Sequence, residues 1–451
     1  MKHLTTLFTD HGLQNMEQII TADPSEAERE KNLINLYPQM RYQTIDGFGG
    51  AFTDASGYVF ALLSPEQQQE MLEGYFAKDG LNYTIGRTSI DSCDFSLECY
   101  AAGNVPGDTA LANFDISRAE KYVLPLIHRA QETAGQPISM MLTPWSPPAW
   151  MKTNASRVGG GMLKEEYYDL WAEYICRYIR QMIKDGVNVQ MLSAQNEPKA
   201  VQRWDSCIYS AKQEQVFIQH HLYPALQRNG LGHIQLLIWD HNKERAFERA
   251  CETICNDEME QIVSGVAVHW YSGDHFEALD MIRQKFPGKK IAFSEACVEY
   301  SILADQSQLA NAQMYAHEII GDLNNGLTSF LDWNLLLDEQ GGPNHVGNYC
   351  DAPMMYNRQT GVLTRNLSYE YIGHFSRYIK PGAVRIGLSR FSQCVEATAV
   401  QNPDGSICTV LLNTGKEMVS FFLRIGQRVW PVTQSGESIS TCLFAADEIA
   451  E

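Results

Sequence analysis

Eight short apolar or β-branched runs recur between residues 45 and 335, with stretches of helical periodicity between them. They stand at 45–52 (IDGFGGAF), 83–90 (YTIGRTSI), 139–146 (SMMLTPWS), 189–196 (VQMLSAQN), 235–242 (QLLIWDHN), 265–271 (GVAVHWY), 290–296 (KIAFSEA) and 329–335 (SFLDWNL). Helical candidates are 64–77, 117–133, 163–185, 212–228, 244–255, 275–285, 305–324 and 368–379. Ser64 can cap the helix at 64–77, Pro65 suits its first position, and Gln67 can close a capping box. Leu170, Tyr174, Ile175, Tyr178, Ile179 and Met182 share one face of the 163–185 stretch. Eight strands alternating with helices predict an α/β chain, a (β/α)8 TIM barrel over 45–379. The alternative is a doubly wound open sheet, which expects a GxGxxG phosphate turn. Gly47-Phe48-Gly49-Gly50 lacks that spacing, so the barrel is preferred.

The character changes near residue 380. Helical patterns stop, and strand runs follow at 383–389, 394–401, 407–413, 419–425 and 439–444. Asn402-Pro403-Asp404-Gly405 between two of them reads as a hairpin turn. The segments 1–44 and 380–451 are therefore expected to form a β-sandwich side domain, with 33–43 adding strands. So small a sheet would be marginal alone and is expected to pack on the barrel.

Composition removes several functions. The chain has 35 basic and 54 acidic residues, a net charge of −19, which repels phosphate and anionic lipid; nucleic acid is not an expected partner. No stretch approaches eighteen apolar residues, so no integral membrane segment is expected. The eleven cysteines include no CxxC pair and no histidine partner at zinc spacing. They read as free thiols of a reducing compartment. The first twenty residues contain Asp10, Glu17 and no apolar run of seven, unlike a signal peptide, and cytoplasmic residence is expected. No metal ligands or cofactor fingerprint stand out, and none is expected.

In such a barrel the active site lies at the C-terminal ends of the strands. Those ends read Ser92-Cys93-Asp94-Phe95 after the second strand, Pro144-Trp145-Ser146 at the third and Gln195-Asn196-Glu197-Pro198 at the fourth. His269-Trp270-Tyr271 ends the sixth, Ser294-Glu295-Ala296 the seventh and Asp332-Trp333-Asn334 the eighth. Taken singly, each has a structural explanation: a capping Glu, a core Trp, a satisfied core His269. Together, two glutamates facing one cavity among tryptophans are the composition of a glycosidase. Sugar C–H faces stack on aromatic rings, and hydrolysis needs two carboxyl groups, one protonated while the other is ionised. The partner's charge is expected to raise the acid's pKa.

At these residues the sequence resembles glycoside hydrolase family 30, the family of glucosylceramidases. The matching segments are IDGFGGAFTDASG (45–57), SCDFS (92–96), TPWSPPAWMKTN (143–154), QNEP (195–198), HWY (269–271), FSEACV (293–298), DWNL (332–335), GGPNHVGN (341–348) and GHFSRYIKPGA (373–383). The resemblance implies a barrel joined to a β-sandwich. It implies Glu197 as general acid/base and Glu295 as nucleophile of a retaining β-glycosidase, with carboxyls expected about 5 Å apart. It gives Asn196 the substrate 2-hydroxyl and sets Tyr271 against the nucleophile. Asp94 and Trp145 match positions that bind hydroxyls on the far side of the ring; Trp333 and Asn348 match positions nearer O4 and O6. Arg87 matches an arginine that partners the carboxylates, and His269 falls behind them in the same way.

The chain departs from the glucosylceramidase pattern in two places. The loop after QNEP reads KAVQRWDSCIYS, where Trp204 and Asp205 either contact the aglycone or are structural. His345 replaces a tryptophan. The sequons at Asn82, Asn154 and Asn366 read as incidental. The expected reaction is release of a terminal β-linked glucose from a glycoside or glycolipid. A β-xylosidase, a β-1,6-glucanase and an inactive carbohydrate-binding protein are the alternatives.

Overall fold

A computed structural model describes residues 1–9, 12–303 and 305–449; Asp10 and the last two residues of the 380–451 segment fall outside this range. Eight strands close into a barrel. In chain order they are Gly47–Ala51, Ile85–Ile90, Ser139–Pro144, Val189–Ser193, Gln235–Asn242, Val263–His269, Lys290–Glu295 and Ser329–Asp332. Every neighbouring pair is parallel, and the eighth closes on the first with Ser329 opposite Gly47 and Asp332 opposite Gly50. The glycine run that lacked phosphate-turn spacing is this first strand. A Cβ on Gly49 would lie 1.9 Å from the Ile85 carbonyl oxygen, so the strands can approach only with glycine there. Inside, Ile85, Met141, Met191, Leu237, Ala267, Ala292 and Leu331 form one packed layer, a residue from each of the other seven strands. That layer is a floor beneath the catalytic ends.

The helices follow the predicted positions with local corrections. Ser64 and Gln67 form the capping box ahead of Pro65–Phe76. The 163–185 stretch becomes Tyr168–Lys184, burying Tyr174, Ile175, Tyr178, Ile179 and Met182; Leu170 is only half-buried. The 212–228 stretch is broken by a π turn at Ile218–Leu222. Pro224 follows within the next turn, and a proline there lacks the N–H that an uninterrupted helix would use. Helix Asp54–Leu62, absent from the sequence expectation, starts at the Thr53 cap.

Leu337–Asp338, Met354–Asn357 and Val362–Arg365 form a small three-stranded sheet, and the other strands form one nine-stranded sheet. Its order is 428–434, 419–425, 33–44, 384–390, 396–401, 407–413, 438–444, 2–9 and 12–19. The sheet folds over itself. Trp430 on the first of these strands meets Phe444 on the seventh at a ring-centroid distance of 4.9 Å, and both share a core with Met1, Ile34 and Phe421. Residues 396–401 and 407–413 pair as the hairpin predicted around Asn402–Gly405. The sheet's barrel-facing side, with Val400, Cys408, Val410, Leu412 and Ile439, merges into the barrel's core. His374, on helix Leu367–Ser376, fastens the two by bonding Thr441 Oγ1 and Thr6 Oγ1, each at 2.8 Å. Among the described residues no helix is long and apolar enough to cross a membrane.

Candidate active site

Arg87, on the second barrel strand, organises the catalytic end. It is fully buried, so its guanidinium must find partners within the protein. It donates to Glu295 Oε2 at 2.5 Å, to Asp240 Oδ2 at 2.9 Å and to Asn196 Oδ1 at 2.8 Å. One cation thus binds the ends of the fourth, fifth and seventh strands together. Beside it lie Trp145 and Trp333, with ring centroids 4.8 and 5.3 Å from the guanidinium carbon. These two indoles also stack on each other, 5.2 Å apart and 11° from parallel, and each is only 2% exposed. Their faces are therefore occupied by protein, which limits the sugar stacking expected of them to their edges.

Glu295 accepts a second hydrogen bond, from the Tyr271 hydroxyl to Oε1 at 3.0 Å. Tyr271 is braced from behind by Cys297 Sγ at 3.4 Å, which lies 3.1 Å from Cys350 Sγ. Both carboxylate oxygens of Glu295 are thus held by donors.

Glu197 is built differently. The fourth strand ends at Ser193, and the chain turns before reaching it. Asn196 N–H donates to Pro144 O on one side and Glu197 N–H to Asp240 O on the other, each at 2.9 Å. Pinned so, Glu197 adopts φ +44°, a left-handed conformation that costs a non-glycine residue energy and is tolerated where a side chain must be aimed. The fifth strand has the same device. Its register slips between Trp239 and His241, and Trp239 and Asp240 take φ +74° and +48°. A bulge of this kind re-aims side chains; here Asp240 and His241 both reach the site. Asp240 accepts from Ser294 Oγ at 2.5 Å and meets His269 Nε2 at 3.1 Å. His269 Nδ1 then faces Glu197 Oε1 at 3.3 Å, and His241 Nδ1 stands 3.6 Å from the same oxygen.

The charges follow from these contacts. Burial, the largest influence, pushes the Glu197 carboxyl up, but His241 and His269 outweigh it and hold it well below the ordinary carboxylate range. This reverses the expectation that the acid is raised by its partner glutamate. Burial presses His269 down, yet the charge of Glu295 and the bonds to Asp240 and Glu197 bring it up to about 9. Burial first, then the charge of Glu295, raises the Asp94 carboxyl well above the usual range, opposed by a hydrogen bond from Asn348.

The residues predicted from sequence come together. Arg87, Asn196, Glu197, His269, Tyr271 and Glu295 form one connected network through Asp240. Asp94 and Asn348 sit beside it, and Trp145 and Trp333 share a cluster with Phe95. Trp204 is half-buried against that cluster. Asp205 is structural: it is 1% exposed and accepts from Arg157 Nε at 2.7 Å and from Ser92 Oγ at 3.0 Å. His345 is half-buried, its Nδ1 facing the Asp94 carbonyl at 3.0 Å. Sequence reasoning missed Asp240 and His241 and gave Ser294 no role. The signal was present in WDHN, polar residues closing a buried apolar strand, but the end of the fifth strand was not read.

A closed parallel barrel presenting two glutamates, a cationic anchor and an aromatic wall at its strand ends defines a glycosidase. The family description "Glycosyl hydrolase family 30 TIM-barrel domain" matches residues 45–379, and "Glycosyl hydrolase family 30 beta sandwich domain" matches 382–442. The chain belongs to glycoside hydrolase family 30. It is 33% identical over 404 residues to lysosomal acid glucosylceramidase of Mus musculus, covering 86% of this chain and 78% of that protein. It is 26% identical to the endo-1,6-beta-D-glucanase neg1 of Aspergillus fumigatus, covering 88% and 84%. The crystal structure of SrfJ from Salmonella typhimurium superposes with a TM-score of 0.94 at 38% identity, covering 99% of this chain and 100% of that one. The endo-beta1,6-glucanase BT3312 gives 0.87 at 26% identity, covering 98% and 99%.

Proposed function

We propose that this glycosidase is a retaining β-glucosidase of glucosylceramidase type, with Glu295 as nucleophile and Glu197 as acid/base. The observation that carries the reading is the asymmetry between the two glutamates. Glu295 is gripped at both oxygens, by the Arg87 guanidinium and the Tyr271 hydroxyl, so it is aimed and charge-compensated for attack. Glu197 instead faces a histidine with which it can exchange a proton. Asp240, itself bound by Arg87, accepts the His269 Nε2 proton. A second proton then lies between His269 Nδ1 and Glu197 Oε1, and its transfer converts imidazolium and carboxylate into imidazole and carboxylic acid.

In the first step Glu295 bonds to the anomeric carbon, the glycosidic bond breaks, and Glu197 gives its proton to the leaving oxygen. In the second, Glu197 takes a proton from water, whose oxygen attacks the anomeric carbon and releases Glu295. Asn196 Oδ1 is committed to Arg87, which leaves its amide N–H groups to donate to the substrate 2-hydroxyl. Asp94, whose carboxyl burial raises, is placed to meet the far hydroxyls. The glucosylceramidase relatives support glucose as the sugar. The likeness to BT3312 and to the fungal glucanase favours a second substrate reading, a β-1,6-glucan.

The test is a panel of 4-nitrophenyl β-glucoside, xyloside, fucoside and galactoside, with glucosylceramide and a β-1,6-glucan beside them. Glu295→Gln should abolish turnover. Glu197→Gln should slow the nitrophenyl glucoside far more than a dinitrophenyl glucoside, whose leaving group needs no proton. A 2-deoxy-2-fluoroglucoside with a good leaving group should leave a covalent adduct on Glu295. Release of the α-anomer as first product would overturn the retaining mechanism.

A further inference from the structure

Glu197, His241 and His269 come from three strand ends, yet one donor atom of each lies within 4.8 Å of the others. We propose that they form a binding site for a borderline-soft divalent transition cation such as Zn2+, and that its occupancy arrests hydrolysis. Binding depends on the three side chains alone; arrest rests on the reading of Glu197 as acid/base.

Four observations support the site. First, tetrahedral zinc with bonds of about 2.0–2.2 Å sets neighbouring ligand atoms about 3.3–3.6 Å apart. Glu197 Oε1 stands 3.3 Å from His269 Nδ1 and 3.6 Å from His241 Nδ1, so two edges already have that length. Second, His269 is tethered at its far nitrogen, Nε2 meeting Asp240 Oδ1 at 3.1 Å. Asp240 is itself fixed by Arg87 and Ser294. A carboxylate behind an imidazole fixes its tautomer and turns the other lone pair outward, as in metal sites. Third, His241 Nδ1 is buried with no hydrogen-bond partner among the described residues, an arrangement proteins rarely leave unsatisfied. Fourth, Asp240 and Glu295 already share the Arg87 guanidinium, while the ionic contacts of Glu197 are the two imidazoles alone, so a cation bound there would meet a carboxylate that no Arg or Lys compensates among the described residues.

Two imidazoles and one carboxylate suit zinc, copper or nickel, and not magnesium or calcium, which prefer oxygen. With three protein ligands the fourth tetrahedral position is left over, as in zinc sites that keep one place for water. The cation would take the Glu197 oxygen that otherwise carries the proton for the leaving group. No bond in the substrate is broken by this; the acid is simply withdrawn.

The test uses the full chain carrying Cys99→Ser, Cys255→Ser and Cys394→Ser, because these exposed thiols would also bind zinc. After EDTA treatment and dialysis, Zn2+ binding is measured by titration calorimetry, with Mg2+ as a control. Saturable binding near one equivalent is expected. It should weaken at least tenfold in His241→Gln and in Glu197→Gln, each checked for an unchanged circular dichroism spectrum. Unaltered zinc affinity in both variants would overturn the site. Zn2+ should also inhibit nitrophenyl glucoside turnover, EDTA should restore it, and His241→Gln should raise the inhibition constant at least tenfold relative to its own activity. Histidine-dependent binding without inhibition would uphold the site and count against Glu197 as the acid.

Discussion

Replacing Arg87 by Met tests the central anchor. The methionine fills much of the stem's space but removes the charge. In the native protein that charge is shared among Glu295, Asp240 and Asn196, and it lies beside two stacked indoles. Removing one partner of a buried ion pair costs about 3–5 kcal/mol, chiefly because the other charge is stranded. Here the low end is expected, since Asp240 keeps His269 and Ser294 as neighbours. Loss of the cation–π contacts adds about 0.5–2 kcal/mol. The stranding argument predicts non-additivity. Asp240→Asn is costly alone, because it leaves Arg87 and His269 undercompensated, yet it should be nearly free in the Arg87→Met background. The double variant should be at least about 1 kcal/mol more stable than the sum of the single costs predicts. Urea unfolding followed by tryptophan fluorescence reads this directly. Activity should not recover. With the 2.5 Å bond to Glu295 gone, about 1.5–3 kcal/mol of positioning is lost, and kcat on a nitrophenyl glucoside should fall roughly tenfold to hundredfold in both. Costs that add within about 0.5 kcal/mol would refute the stranding argument.

Other sites give simpler predictions. Burial, helped by Arg377 and His3, lowers His374 to about 3 in the folded protein. Between that value and the ordinary 6.5 the unfolded chain takes up a proton that the folded chain refuses. Its contribution to stability is thus lost as pH falls below 6.5, at up to about 1.4 kcal/mol per pH unit. His374→Gln should flatten that part of the pH–stability curve; an unchanged slope would show that His374 is not the group responsible. Asn348→Ala should slow the glucoside at least tenfold more than the xyloside if its amide reads O6, and equal slowing would remove that role. Trp204→Ala should raise KM for glycosides with long apolar aglycones several-fold and leave methyl β-glucoside unaffected; a uniform rise would make Trp204 part of the sugar pocket.

The barrel was legible because its signals are local. Each strand run and each helical face is set by residues a few positions apart, and the capping box at Ser64 is read within four residues. The glutamates were legible because residues at or just past the C-terminal ends of barrel strands line the cavity: Glu295 closes the seventh strand and Glu197 follows the fourth. What escaped depends on neighbours distant in sequence. The edge strand Gly12–Ile19 exposes nearly all its side chains, so it shows no alternation of buried and exposed positions. Strand Arg428–Gln434 was passed over although it buries alternate residues. The slip at Trp239–His241 is imposed by pairing with the sixth strand, and no short window contains it.

That slip also explains why the environment of Glu197 was misjudged. Reasoning from the two glutamates alone makes each the other's main electrostatic neighbour. In the folded protein the strongest ionic contacts of Glu197 are the imidazoles from the fifth and sixth strands, one of them 72 residues away along the chain. Glu197 and His269 are therefore a coupled pair, with Asp240 behind the imidazole. A barrel makes this possible, because adjacent strand ends converge whatever lies between them in sequence. The same convergence brings three residues distant in sequence together as a ligand set suited to a cation.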